Sequence, residues 1–322
     1  MDSRPKIVFL DAITAGQVKN LSVIADLGNY KQFDYTDTEE RIKRIADSDV
    51  VITNKVIIDR KVMDACPSIK LICIAATGMN NVDRDYAAKK GIQVKNVVGY
   101  STESVTQATF ALLFYLLNSS VYYDSYVKSG KYTKSPVFTH HGREFWELNC
   151  KVFGIIGLGT IGKRVAQVAS AFGSRVIYYS TSGKNINIEY EHKTLKELLQ
   201  LSDIISIHCP LNEKTQNLIS AKQLKLMKSS AILLNIGRGG IIDESALANA
   251  LDQDQLGGAA LDVLVHEPIE ENNPLLQIRN SHKLFITPHI AWATLEARSR
   301  LMEIAVGNVG AFISGKNRNV VT

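Results

Sequence analysis

Cysteine is scarce: there are four among 322 residues, at Cys66, Cys73, Cys150 and Cys209, and no two form a C-x-x-C pair. Such spacing argues against a disulfide framework or a thiolate zinc site and points to reduced thiols in a reducing compartment. Runs of like charge are missing too. The net charge of +5 comes from basic residues scattered along the chain, whereas a nucleic-acid footprint would cluster them on one face. A dispersed basic excess suits small anionic ligands instead. No apolar stretch reaches the roughly 18 residues of a membrane span. The polar residues 1–6 lead straight into a strand-like run with no signal-peptide pattern, so the expected location is the cytoplasm, with neither membrane nor nucleic acid as partner. Internal repeats and low-complexity linkers are absent as well.

What is present is alternation. Apolar residues make up 45% of the chain and charged residues 21%, enough to bury real cores, and the length suits two domains better than one. Short apolar runs at 6–10, 50–53, 71–75 and 93–97 are separated by helix-forming segments such as 39–46 and 84–90, the latter stopped by Gly91. A second series begins with residues 151–157 and continues with 175–179, 204–208, 231–236, 258–261 and 284–286. This is the pattern of α/β architecture, with two doubly wound parallel sheets covered by helices on both faces. Between the two series, residues 101–128 read as one long helix, apolar almost all round. A buried or contact helix is expected there, and with it a homodimer joined around 102–127 and the loop that follows.

Gly157-Leu158-Gly159-Thr160-Ile161-Gly162 spells G-x-G-x-x-G between an apolar strand and a helix, the context in which that pattern binds a dinucleotide. Gly157 permits the tight turn, Gly159 lets backbone approach a pyrophosphate, and Gly162 lets helix and strand pack closely. Strand 175–179 then leads to the adenosine ribose. The acidic residue usual in NAD enzymes is replaced by Ser180, followed by Thr181, Ser182, Gly183 and Lys184. Hydroxyls and an ammonium can receive a 2′-phosphate, so both NAD and NADP remain open as cofactor.

Three residues follow the ends of later strands: Arg238 in NIGRGG, Glu267 in LDVLVHEP and His289 in TPHIAW. That edge of an open α/β sheet is where ligands bind. The types suit a 2-keto acid. Arginine holds a carboxylate with a planar fork. Histidine protonates the alkoxide left after reduction at C2, or takes the proton back in the reverse direction. A carboxylate on the other ring nitrogen fixes the tautomer and favours the imidazolium.

Through GLGTIG, NIGRGGIIDE, LDVLVHEP and TPHIAWAT, in that order and spacing, nearly the whole chain resembles the D-isomer-specific 2-hydroxyacid dehydrogenase family. The resemblance implies an NAD(P)-dependent dehydrogenase with Arg238 as substrate binder, Glu267 as partner of the histidine and His289 as acid/base. It further implies that the loop 76–80, with Thr77, Gly78 and Met79, presents N–H groups to the substrate carboxylate. Cofactor contacts are implied at Thr77, Thr106, Gly157, Gly159, Thr160, Ile161, Gly162, Cys209, Ile236, Gly237, Asp262 and His289, with Asp262 near the nicotinamide carboxamide. Residues 1–101 and 293–322 would form a flavodoxin-like substrate domain and 102–292 a Rossmann domain, on either side of a cleft. YSTESVTQ and HIAWAT are most similar to the glycerate dehydrogenase (hydroxypyruvate reductase) branch. D-lactate or phosphoglycerate dehydrogenase activity, and a cofactor-sensing role like that of related corepressors, are the alternatives. No metal site is expected.

Overall fold

A computed structural model describes residues 4–18, 21–184 and 189–321. Residues 1–3, the start of the polar run read above, lie outside them. Chain contacts divide the protein into two compact units, Met1–Ser101 with Ala293–Thr322, and Thr102–Trp292.

In unit 1 the strands are β1 (Lys6–Phe9), β2 (Asn29–Gln32), β3 (Val50–Thr53), β4 (Leu71–Ile74) and β5 (Gln93–Lys95). They form one parallel sheet in the order β2-β1-β3-β4-β5, which is the flavodoxin-like winding. Every residue of β3 and β4 is buried, because helices cover both faces and each side chain meets a core. The covering helices include α1 (Ile24–Leu27), α2 (Arg41–Ile45), α3 (Arg60–Ala65) and α4 (Arg84–Lys89). Asp59 and Asp83 cap α3 and α4 by accepting from Val62 N and Tyr86 N, each at 3.0 Å.

Unit 2 opens with α5 (Thr102–Leu117) and α6 (Ser120–Lys128). The single long helix expected over 101–128 is therefore two. Ser119 takes a left-handed φ of 46° and interrupts the run after Leu117, the last residue of α5 that is buried. No residue of α6 is buried; its tyrosines carry an aromatic cluster with the following loop, where Tyr126 stacks on His140 at 3.8 Å.

The unit then winds β6 (Val152–Ile156), α7 (Thr160–Ala171), β7 (Arg175–Tyr179), β8 (Glu191–His192), α8 (Leu195–Leu201), β9 (Ile204–Ile207), α9 (Ala221–Leu224), β10 (Ile232–Asn235), α10 (Glu244–Asp252), β11 (Gly258–Leu261) and β12 (Leu284–Ile286). The seven strands are parallel in the order β12-β11-β10-β9-β6-β7-β8. Alternate residues of β9 feed opposite cores. Ile204 packs with α5 and α7, while Ile205 and Ile207 pack with α8, α9 and α10. The winding reverses between β6 and β9, and at such a switch point the loops leave a crevice at the carboxyl edge. The last helix, α11 (Leu295–Ile313), belongs to unit 1 and packs against β4. Strands β2 and β8 were not legible as apolar runs. Both are edge strands, and β2 is almost wholly exposed, so burial never selected an apolar pattern there.

Candidate active site

The glycine loop joins β6 to α7 at the switch point. Gly157 has φ of 95°, and a Cβ there would stand 2.8 Å from the backbone N of Cys209, so only glycine admits the turn. A Cβ on Gly162 would lie 2.3 Å from Gly157 O, which closes helix against strand. Gly159 faces open space, with no neighbouring atom within 4 Å of such a Cβ beyond its adjoining residues. A cavity of about 490 Å³ opens here, lined by Thr102, Gly159, Thr160, Lys163 and Arg164 among others. The N–H groups at the start of α7, with Lys163 and Arg164 beside them, suit a pyrophosphate, Arg164 while also donating to the Glu103 carboxylate at 3.1 Å.

Ser180 lies just past β7. Its Oγ is buried and has no hydrogen-bond partner among the described residues, an orphaned group of the kind a ribose hydroxyl or phosphate would satisfy. Thr181 is half-buried, and Ser182 Oγ accepts from Lys184 N at 3.2 Å. These residues and the glycine loop fit a nicotinamide dinucleotide.

The three candidate side chains leave three adjacent strands, β10, β11 and β12, at the same edge. After β10, Asn235 builds the Arg238 turn: its Oδ1 accepts from Gly237 N at 3.1 Å and its Nδ2 donates to Arg238 O at 2.8 Å. The Arg238 guanidinium folds back to Gly237 O at 2.8 Å. After β11, Glu267 Oε1 accepts from Leu264 N at 3.0 Å, which fixes the carboxylate, while Oε2 accepts from His289 Nδ1 at 2.7 Å. After β12, His289 adopts a left-handed φ of 54°, and its N–H donates to Thr287 O at 2.9 Å. The histidine and glutamate side chains remain 22% and 31% exposed, so the ring is braced without being sealed. With Nδ1 occupied, Nε2 is the nitrogen left for a reacting group.

Asp262 secures that strained loop. Its Oδ1 accepts from Thr287 Oγ1 at 2.6 Å and Ile290 N at 2.8 Å, and its Oδ2 from Ala291 N at 2.9 Å. Burial pushes its carboxyl above the usual carboxylate range, against the pull of those three donors. Cys209 is buried and its thiol is pushed up to about 11 by burial, so it is a small apolar wall and not a nucleophile. His208, beside it, is pushed down to about 3 by burial; its Nε2 meets Ser206 Oγ at 2.8 Å.

Of the other residues singled out from the sequence, Thr106 is buried in α5 with its Oγ1 donating to Thr102 O at 2.8 Å. Ile161 lies in the first turn of α7, and Ile236 is buried just past β10. Thr77, Gly78 and Met79 lie in unit 1 past β4, where Thr77 Oγ1 donates to Val97 O at 2.8 Å and Asn96 Nδ2 to Thr77 O at 3.0 Å. Two contributors went unremarked in the sequence. One is Asn235. The other is Gly239, where a Cβ would fall 1.8 Å from Leu264 O, so that the Arg238 turn touches the turn preceding Glu267. The paired glycines after Arg238 were the available signal.

The family described as D-isomer specific 2-hydroxyacid dehydrogenase, NAD binding domain, matches residues 110–291. The chain is 39% identical to a hydroxypyruvate reductase of Blautia hydrogenotrophica, over 98% of this chain and 99% of that one. It is 37% identical to a glycerate dehydrogenase of Methylorubrum extorquens, over 91% of each. Among solved structures, a D-lactate dehydrogenase of Aquifex aeolicus, complexed with NAD and lactic acid, superposes with a TM-score of 0.84 at 28% identity, covering 96% of both chains.

Proposed function

The chain belongs to the D-isomer specific 2-hydroxyacid dehydrogenase family, and from that premise we propose that it reduces a small 2-keto acid, hydroxypyruvate or glyoxylate, to the D-2-hydroxy acid. The observation that carries this reading is the His289–Glu267 pair, 2.7 Å apart at the carboxyl edge of the sheet that bears the glycine loop. Arg238 holds the substrate carboxylate through its bidentate fork. The chemistry a bound dihydronicotinamide supplies is hydride donation to C2. The protein supplies the proton: His289 Nε2–H gives it to the developing alkoxide, and Glu267 steadies the ring and its positive charge through Nδ1. In the oxidative direction Nε2 takes the same proton back.

Gly157, Gly159, Thr160, Ile161 and Gly162 receive the pyrophosphate, and Ser180, Thr181, Ser182 and Lys184 receive the adenosine ribose. Cys209, Ile236, Gly237 and Asp262 line the nicotinamide end. With no carboxylate in the segment 180–184 to repel a 2′-phosphate, NADPH is accepted as well as NADH. The enzyme works in the cytoplasm as a homodimer.

The test is spectrophotometric. Purified protein with NADH or NADPH should lose the dihydronicotinamide absorbance when hydroxypyruvate or glyoxylate is added. Cofactor binding without turnover on a panel of 2-keto acids would instead make the protein a cofactor sensor.

A further inference from the structure

Glu244 opens α10, where an acidic residue ordinarily serves the helix dipole. Here both carboxylate oxygens are engaged outside the helix. Oε1 accepts from Val265 N at 2.7 Å and Oε2 from Asn273 Nδ2 at 2.7 Å. Val265 follows Leu264, whose own N–H donates to Glu267 Oε1 at 3.0 Å. Two successive backbone N–H groups of one turn are thus held by two different carboxylates, while Gly239 bears on Leu264 O from a third side. Only two residues beyond Val265, Glu267 meets His289 Nδ1.

We infer that Glu244 is a positioning residue for proton transfer: by anchoring Val265 it holds the 264–267 turn in the geometry that presents Glu267 to His289. The inference rests on the proposed pairing of His289 and Glu267. Asn273 makes the requirement specific to a carboxylate. It is buried, and its Oδ1 accepts from Leu275 N at 3.0 Å, so its amide cannot turn over without losing that bond. Its Nδ2 therefore demands an acceptor while Val265 N demands another. Glutamine offers one oxygen and would set its NH₂ against a donor. The carboxylates bearing on His289 are Glu267 and Asp262; the donors to Glu244, Val265 N and Asn273 Nδ2, are neutral.

The experiment compares Glu244→Gln, Asn273→Ala, Glu267→Gln and the double variant Glu244→Gln/Glu267→Gln. Cofactor affinity is read by fluorescence titration, folding by thermal unfolding, and proton transfer by the solvent deuterium isotope effect on reductive kcat, with the KM for the keto acid beside it. Glu267→Gln should lower kcat and raise that isotope effect while KM stays near the parental value, since the donor ring has lost its brace. Glu244→Gln should bind cofactor as the parent does and lose kcat by about tenfold, since small misplacements of reacting groups are costly. It should raise the isotope effect as well, and the double variant should lose little beyond Glu267→Gln alone. Asn273→Ala should give a smaller loss of the same kind, and it carries the test should Glu244→Gln not fold. A kcat and isotope effect that change with Glu267→Gln and stay parental with Glu244→Gln and Asn273→Ala overturn the inference and leave the pairing intact. A parental kcat and isotope effect in Glu267→Gln overturn the pairing, and the inference with it.

Discussion

His289 Nδ1 and Glu267 Oε2 stand 2.7 Å apart, on loops that follow the neighbouring strands β12 and β11. The glutamate is itself held by Leu264 N, so the ring has one orientation and one nitrogen, Nε2, free for substrate. Replacing His289 with Gln should leave cofactor binding unchanged and lower turnover by about 10²–10⁴-fold, the range for loss of a general acid–base group. Fluorescence titration beside steady-state rates checks this; near-parental turnover would remove His289 from the mechanism.

Arg238 contributes a planar fork from a turn that Asn235 clamps at both ends. Arg238→Lys keeps the charge but not the two parallel donors. The KM for the keto acid should rise while cofactor affinity holds. An unchanged KM and kcat would show that Arg238 does not touch substrate.

Asp262 accepts from Thr287 Oγ1, Ile290 N and Ala291 N on the loop that carries His289. Asp262→Asn relieves the burial cost of the charge but turns an NH₂ toward a donor. The unsatisfied group should prevail, at about 1–3 kcal/mol. A lower melting temperature together with slower turnover is expected; a variant as stable and as fast as the parent would assign Asp262 no part in holding the loop.

Ser180 Oγ, just past β7, is buried and has no hydrogen-bond partner among the described residues. The cation near it, Lys184, is exposed, and an exposed pair is worth only about 0–1 kcal/mol. Strict NADP specificity should therefore not follow, and the efficiencies with NADH and NADPH should lie within about a hundredfold. Ser180→Asp should shift the ratio toward NADH by repelling a 2′-phosphate. A parent that ignores NADPH, or a mutant with the parent's ratio, would place ribose recognition elsewhere.

Helix α6 buries none of its residues, and Phe138, in the loop beyond it, is 90% exposed. Apolar exposure of this kind suits an interface, and the proposed occupant is a second copy of the chain. Sedimentation should give a dimer, weakened by Phe138→Asp. A monomer at micromolar concentration would end this assignment.

The α/β architecture was legible because interior strands such as β3, β4 and β9 are apolar at nearly every position, the mark of a sheet covered on both faces. The candidate site was legible as residue types placed after strand ends. Of its internal bonds, the one between Glu267 and His289, 22 positions later, was expected from the residue types and the family resemblance. The bond of Glu244 to Val265, 21 positions later, was not, since nothing in the local sequence joins them. The break at Ser119 was hidden as well, since a left-handed serine carries no sign of itself in a helix-forming run.

From the sequence alone came the period of the apolar residues, the glycines where a turn admits no Cβ, and the kinds of acid, base and cation available. Those are properties of single residues and near neighbours, so a linear reading reaches them. The tertiary structure alone decided which strands lie side by side. That order sets Arg238, Glu267 and His289 on the loops after three consecutive strands and lets Asp262 hold a histidine loop in a conformation a non-glycine residue seldom adopts. Such pairings are settled by long-range packing, where each bond forms only after the sheet has brought distant segments within hydrogen-bond reach.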